Sequence, residues 1–505
     1  AVPAAAVPAG DPAPVLSTVA APAPVVSAPA AAPLPKAVNP GSLVTADLQA
    51  VPLYRQDELL NWIEQGRHLT RVKQDRCQLT QDIEARASVM KIPAYQFLWG
   101  DMLAWGVCTK PDAQVGVQYM WEAANQGLAP ALEQLNSQLT ALGQPLLVVK
   151  GPATQVLRQL CQQYAVDTVY SHEETGNLWT YQRDLAVKRL FQQLNIAWQQ
   201  HRQFAVFRRL SDRDNWFTLA DSWLKSAPVP AVDHLPFVTA TQWQLSELSP
   251  GRRTDLPLCK SIQSAATPAD IFASFIHQRS ANYRQHISLP AKAVHSCSRL
   301  SPYISYGQLS LRQLQQQSYL ALKQSTEPRR QQGLQAFFSR LRWHCHFMQK
   351  LEDEPAIEFF NMHRGFDGLR ETDFNPGWFR AWQSGTTGYP LIDAAMRSLL
   401  ATGWLHFRGR AMLVAFASYH LWLHWRPLAL HLAQCFIDYE PGIHYPQIQM
   451  QAGTTGINPN RMYNPVKQSQ QKDADGRFIR QWLPELRQVP DSWLHTPWLM
   501  PVALQ

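Results

Sequence analysis

Residues 382–397 read Trp-Gln-Ser-Gly-Thr-Thr-Gly-Tyr-Pro-Leu-Ile-Asp-Ala-Ala-Met-Arg, and residues 478–486 read Phe-Ile-Arg-Gln-Trp-Leu-Pro-Glu-Leu. Trp, Arg and His recur within and between these two runs, on what read as long buried helices. Cations and imidazoles are costly to bury without partners, so their density points to a large bound ligand. From about residue 268 onward apolar residues recur at helical spacing, which predicts a mostly α C-terminal half. Its most apolar stretch, Ala411 to Trp425, contains Ser418, His420 and His424 and reads as one core helix.

The spaced positions Gly385, Thr387, Gly388, Tyr389, Pro390, Asp393, Ala394, Met396, Arg397, Thr402, Gly403, Trp404, His406, Arg408 and Arg410 carry the pattern. It continues at Arg461, Asn464, Pro465, Lys472, Gly476, Ile479, Arg480, Trp482 and Pro484 to Leu486. Together these resemble the flavin-binding core of the photolyase/cryptochrome superfamily. The resemblance implies FAD, because no side chain absorbs blue light usefully. It implies that Tyr283, Ser298, Arg299, Leu300 and Ser301 hold the FAD phosphates, with His406 and Arg408 also in the cofactor pocket. Hydroxyls, backbone N–H groups and a cation suit phosphate on their own chemistry. Arg410 and Asp438 match the arginine–carboxylate pair beside the flavin ring, and Glu440 matches the acid facing its pyrimidine edge. His444 stands where many members place Asn against flavin N5, and a titratable imidazole there should alter which redox state is stabilised.

The activity implied is light-driven electron transfer from reduced flavin to pyrimidine-dimer lesions in DNA, with a blue-light photoreceptor lacking repair as the alternative. Trp343, His444 and Trp425 are the expected catalytic residues, and Arg340, Trp343, Trp382 and Phe407 the substrate-facing ones. Three departures from the family pattern bear on this. Repair enzymes for cyclobutane dimers carry a glutamate where Arg340 stands, and most carry Asn where Phe407 stands. Both changes remove groups suited to thymine edges, although Phe407 and Trp343 can still stack on a flipped base. The family's tryptophan relay would be read at Thr372, Trp425 and Ile448, so only its middle member survives. Tyr439, Tyr445, Trp422 and Tyr419 are the candidates for another route.

Upstream, the chain changes character repeatedly, and the fold class expected is multidomain. Residues 1–46 form an extended tether, with 14 Ala and 10 Pro in the first 40 residues. In residues 47–132, Asp57 to Ile63 and Asp82 to Met90 have helical spacing, followed by Leu98-Trp99-Gly100 and small residues that let paired helices pack closely. This is similar to a tetratricopeptide-like helical repeat and to the start of MotX-type periplasmic flagellar-motor proteins. A lone repeat buries its apolar face poorly, so a missing neighbour is expected. Residues 133–225 read as a partial α/β Rossmann-like domain: strand Leu146 to Val149, helix Thr154 to Tyr164, strand Thr168 to Ser171, helix Tyr181 to Leu194. Glu174, Gly176, Tyr181, Arg183, Asp184, Arg208, Arg213 and Asp214 resemble the N-terminal domain of the same superfamily. Its opening strand and Trp-Phe-Arg motif are absent, so the segment reads as truncated, and no standard antenna chromophore is expected. Residues 226–265 are the interdomain linker, and residues 266–505 the all-α FAD-binding domain.

The formal net charge of +8 permits binding to damaged DNA without demanding it. The seven cysteines include no Cys-x-x-Cys pair, so a reduced compartment and no structural metal are expected for the catalytic half. His344-Cys345-His346 points its side chains about 100° apart on a helix, which argues against one shared metal. Asp473-Ala474-Asp475-Gly476 lacks the glutamate of a calcium loop and reads as a turn. No run of eighteen apolar residues predicts a membrane span. A cytoplasmic location is expected for the flavin domain. The sequence opens without Met, which admits a removed export signal, hence a periplasmic location and flagellar-motor partners for the head.

Overall fold

The computed structural model describes residues 152–230, 266–457 and 461–501 continuously, and residues 52–109 and 137–146 in part. The tether reading of residues 1–46, the strand beyond Leu146 and the linker beyond residue 230 lie outside the described residues.

In the head, helices α1 (His68–Gln74) and α2 (Thr80–Ser88) flank a turn in which Arg76 and Cys77 take left-handed backbone angles, φ 52° and 61°. A disulfide joins Cys77 to Cys108 and closes a loop of 31 residues, a pairing the sequence reading did not make. The Asp75 carboxylate accepts from Tyr54 Oη (2.8 Å) and Arg71 Nε (2.9 Å), which ties the entering strand of chain to α1. Tyr54, Leu59, Val72, Ile83, Tyr95, Leu98, Trp99 and Met102 form a small core here. The described part of the head buries these residues against one another.

The α/β segment runs α3 (Ala153–Tyr164), β1 (Thr168–His172), α4 (Leu178–Gln193) and β2 (Ala197–His201). Helix α4 starts three residues before the sequence expectation, because Asn177 Oδ1 accepts from Thr180 N (3.2 Å) and caps it. The strands pair in parallel, Thr168 opposite Ala197 through His172 opposite His201. Cys161, Val187, Leu190 and Phe191 pack between helices and sheet. Helix α5 (Trp216–Lys225) follows.

The remainder is helical: α6 (Pro268–Ser274), α7 (Ser280–His286), α8 (Pro290–Ser296), α9 (Ser301–Ser305), α10 (Leu311–Gln324) and the 26-residue α11 (Pro328–Asp353). Then come α12 (Pro376–Ser384), α13 (Pro390–Thr402), α14 (Phe407–Ala415), α15 (Trp425–Cys435), α16 (Pro441–Ala452), α17 (Pro465–Lys472) and α18 (Arg477–Trp482). Many open on proline, whose missing N–H and fixed φ suit a first turn. Helix α11 is the axis of this half, packing against α7, α10 and α16. Close approach requires glycine twice: a Cβ on Gly333 would sit 1.8 Å from Ser280 O, and one on Gly442 2.6 Å from Met348 Cα. The sheet segment is clasped to α11 by Gln349, which accepts from Phe207 N (2.7 Å) and donates to Phe207 O (2.9 Å).

One sequence expectation fails in this half. Ala411 to Trp425 is not one helix: α14 ends at Ala415, a π-turn spans Phe416–His420, Trp422 has φ 54°, and α15 begins at Trp425. Pro427 explains the restart, since a helix running through from Ala411 would clash with its ring.

Candidate functional site

The signature run of residues 382–397 builds a rigid corner. Gly385 (φ 65°) caps α12 and Gly388 (φ 85°) turns the chain into α13. The buried Asp393 carboxylate accepts from Thr387 N (2.8 Å), Thr387 Oγ1 (2.7 Å) and Gly388 N (2.8 Å). The Thr-Gly-Tyr-Pro-x-x-Asp spacing is therefore a carboxylate-pinned turn that fixes the start of α13. The Asp473 run works alike: its carboxylate accepts from Phe478 N (3.0 Å) and Ile479 N (2.9 Å) at the start of α18, a capped turn as read.

Arg410 on α14 donates twice to Asp438, at 3.0 and 2.7 Å, and its Nε donates to Leu405 O at 2.7 Å. Its guanidinium lies 4.0 Å over the Phe436 ring. Beside the pair, His444 Nε2 lies 2.8 Å from Ala429 O. A carbonyl only accepts, so Nε2 carries the proton and Nδ1 is left as an acceptor. Burial pushes the His444 pKa down to about 4, so this imidazole stays neutral near pH 7. His406, at the start of α14, is likewise pushed down to about 3 by burial and then by Arg410 and Arg408. Burial, then the charge of Glu174, raises Glu440 to about 8, which makes it a protonated donor at neutral pH.

At the expected phosphate loop, Arg279 donates to the carbonyls of Cys297, Ser298 (3.3 Å) and Ile271 (2.6 Å) and fixes the loop's path. Arg299 has φ 62° and its guanidinium lies 4.0 Å over Trp404. Leu300 is buried and Ser301 opens α9. Tyr283 is buried against Phe275 and Phe337, and burial raises its phenol well above the ordinary value. Arg408 lies over Phe407 (5.9 Å) and Tyr463 (5.2 Å), and its Nε is buried with no hydrogen-bond partner among the described residues. An orphaned cationic donor, two neutral buried imidazoles and a guanidinium whose Nη2 is held by both oxygens of a carboxylate suit a polar, anionic, ring-bearing ligand. The residues present fit a flavin dinucleotide.

The substrate-facing set separates. Arg340 lies 4.7 Å over the Phe407 ring, and Trp343, one turn along α11, is half exposed. Trp382 does not belong with them. It is fully buried, its Nε1 donates to Leu413 O (3.0 Å), and Phe379 and His431 pack its ring, so it has no face left for a base. It is a core residue.

The buried Trp425 donates from Nε1 to Asn361 Oδ1 (2.7 Å) and meets Tyr445 edge-on at 6.5 Å. Tyr445 Oη lies 3.4 Å from Tyr439 Oη, and both tyrosine rings lie within 5.5 Å of His444. Tyr419 and Trp422 instead share Arg370, at 5.3 and 4.7 Å. Sequence reasoning missed Glu358, whose carboxylate accepts from Leu178 N (2.9 Å) and is raised by burial to about 7. It missed Arg370, buried and donating to Ala452 O (3.0 Å). Neither sits in a motif, so only their partners reveal them.

The family model for the FAD binding domain of DNA photolyase matches residues 337–505, and the DNA photolyase model matches residues 103–209. A deoxyribodipyrimidine photo-lyase of Streptomyces griseus is 36% identical over 204 residues, 40% of this chain and 42% of that protein. One from Vibrio cholerae is 29% identical over 403 residues, 74% of this chain and 82% of that protein. Sodium-type polar flagellar protein MotX of Vibrio parahaemolyticus is 56% identical over 91 residues, 18% of this chain and 43% of that protein. Crystal structures of a bacterial class III photolyase from Agrobacterium tumefaciens (TM-score 0.66) and of a Synechocystis cryptochrome (0.65) share the fold at 24% identity, each covering 75% of this chain and 81% of its own. The shared fold and the matched domain models define a mostly helical class of protein with an FAD-binding domain. The chain belongs to the photolyase/cryptochrome family. It spans less than half of the Streptomyces relative. Among the described residues no helix is long and apolar enough to cross a membrane.

Proposed function

We propose that this chain binds FAD between α11, α14 and α16 and uses it for light-driven electron transfer to pyrimidine dimers in DNA. The observation that carries the reading is the buried Arg410–Asp438 ion pair, Nη2 donating to both carboxylate oxygens, beside neutral His444 and His406. FAD when bound supplies light absorption and the transferable electron. The protein's part is to hold and tune it. Arg410, fixed by Asp438 and Leu405 O, supplies a permanent positive charge at the ring. His444, locked by Ala429 O, offers an Nδ1 acceptor where a side-chain amide would offer a donor. Protonated Glu440 donates rather than repels. Arg279 holds the Cys297–Ser301 loop in shape, and Arg299 and Arg408 would supply positive charge for the dinucleotide's phosphates. Trp343 and Phe407 stack on the lesion, and Trp425 with Tyr445 lies on the route by which electrons reach the pocket. In this reading residues 133–225 and 266–505 are the partial α/β and FAD-binding domains joined by 226–265. The test is light-dependent loss of dimers from irradiated DNA by flavin-loaded protein; persistence of the dimers refutes it.

Two observations support other roles. Arg340 and Phe407 at the lesion face favour a photoreceptor that signals without repair, for which lesion-independent photoreduction alone is the expected result. The likeness of 91 residues to MotX, with the Cys77–Cys108 disulfide, supports a head that works in an oxidising envelope with flagellar-motor partners. Fractionation separates these: the flavin reading expects a yellow cytoplasmic protein, and a flavin-free periplasmic one overturns it.

A further inference from the structure

Among the described residues Arg370 is the one arginine or lysine that is buried, at 4% exposure. Its guanidinium carbon lies 4.7 Å from the centre of the Trp422 ring and 5.3 Å from that of Tyr419. Nη1 donates to Ala452 O at 3.0 Å, whereas Nε is buried with no hydrogen-bond partner. No described carboxylate lies within ion-pair distance, and the two nearest in sequence are turned elsewhere. Glu371 Oε2 accepts from the Arg370 backbone N at 2.9 Å, and its Oε1 lies 3.6 Å from His424 Nε2. Asp367 is held by Arg364 at 2.9 Å and by Asn361 at 2.8 Å. A buried cation is costly until a counter-charge meets it, and two ring contacts with one carbonyl recover only part of that cost. Arg410, whose side chain is 30% exposed, is by contrast matched by Asp438. The open edge of Arg370 also has a shape. With Nη1 engaged, Nε–H and Nη2 remain as parallel donors, which match two oxygens of a carboxylate or phosphate. Trp422 is 39% exposed, so one wall of the site reaches solvent.

We propose that the Nε–Nη2 edge of Arg370, walled by Trp422 and Tyr419, is a binding site for a small oxyanion, a carboxylate or a phosphate. The anion would supply the counter-charge that no described side chain supplies. Through Arg370 and Ala452 O it would also tie the segment before α12 to the end of α16. Trp422 holds a left-handed backbone, φ 54°, a conformation that a tryptophan keeps only where its surroundings impose it, and the contact with Arg370 is one such constraint. The site uses none of the residues assigned to the flavin, so it stands without that reading.

The experiment is isothermal titration calorimetry of the full chain with sodium phosphate and, separately, sodium acetate, at ionic strength held constant with sodium chloride. The thermal midpoint is followed in the same solutions. Both oxyanions are expected to bind saturably and to raise the midpoint above that in chloride alone. The tighter of the two identifies the class of ligand the site takes. Arg370→Lys keeps the charge but lacks the planar fork, and should weaken binding about tenfold or more. Arg370→Met should abolish it, and circular dichroism checks that both variants fold; Arg370→Lys carries the comparison if the methionine variant does not. Arg299→Ala, in the loop expected to hold the flavin phosphates, should leave the oxyanion response unchanged. Chloride matching both oxyanions, undiminished binding in either folded Arg370 variant, or binding lost in Arg299→Ala but kept in Arg370→Lys overturns the site. Flavin bands absent from the wild-type protein would refute the flavin reading and leave this result standing.

Discussion

Removing Asp438 tests the heart of the site. Its carboxylate is 3% exposed and accepts through both oxygens from one terminal nitrogen, Nη2, of Arg410, whose side chain is 30% exposed. In Asp438→Ala the guanidinium keeps only its Nε bond to Leu405 O and its place over Phe436. An uncompensated charge in a buried site costs about 3–5 kcal/mol, and the partial exposure of Arg410 argues for the lower end, about 3 kcal/mol. If the pair acts as a unit, Arg410→Met combined with Asp438→Leu should cost less than Asp438→Ala alone, because no orphan charge remains. Urea denaturation followed by circular dichroism reads the stability, and flavin absorbance per protein reads the pocket. Asp438→Ala should lose both stability and flavin. The double variant should recover most of the stability but not the flavin. A loss under about 0.5 kcal/mol in Asp438→Ala would refute the reasoning, since it would mean that water already solvates Arg410.

The pH dependence has two flanks. His444 and His406 are depressed to about 4 and about 3, so the unfolded chain binds the extra protons and stability falls as pH drops from the ordinary histidine value near 6.5 towards 4. Glu358 is raised to about 7, so its contribution is present below the ordinary value of 4.5 and is lost as pH rises through 7; Glu358→Gln should therefore be more stable than wild type at pH 9, by about 2 kcal/mol in urea titrations. An equal or lower stability at that pH refutes the burial of an ionisable Glu358. Reducing the 31-residue loop closed by Cys77–Cys108 should loosen the head by about 3 kcal/mol, seen as faster amide exchange in α1 and α2 and not in α13 to α16. Gly442→Ala should destabilise the α11–α16 contact by more than about 2 kcal/mol, because its Cβ would lie 2.6 Å from Met348 Cα, backbone that cannot step aside; a thermal midpoint unchanged from wild type would contradict that contact.

Much of the fold was legible because it rests on local rules. The Gly385, Gly388 and Asp393 corner is written in three residues whose backbone and carboxylate roles do not depend on distant chain. Helices α3 and α4 and strand β1 followed from apolar spacing, with α4 misplaced only by its Asn177 cap. What failed depended on tertiary surroundings. The break after Ala415 lies in a π-turn and a left-handed Trp422 that helical spacing does not signal, although Pro427 marks the restart in the sequence. The role of Trp382 was misjudged because a tryptophan beside a pocket motif and one inside the core look alike in sequence; only the bond to Leu413 O distinguishes them. Cys77 and Cys108 stand 31 residues apart without a motif, so only the folded turn brings them together.

The departures from the family pattern at Arg340 and Phe407 look independent in sequence and meet in space. Arg340 and Phe407 stand on different helices, yet the guanidinium lies 4.7 Å over the ring. An acid at 340 would gain nothing from Phe407, and Arg340 over an amide would lose its cation–π contact. Each residue therefore makes the other tolerable. A double-mutant cycle between Arg340→Glu and Phe407→Asn, read by thermal midpoint, should show coupling of about 0.5–1 kcal/mol, as expected for a cation–π pair this exposed. Additive effects would mean that the guanidinium over the ring contributes nothing to the stability of this contact.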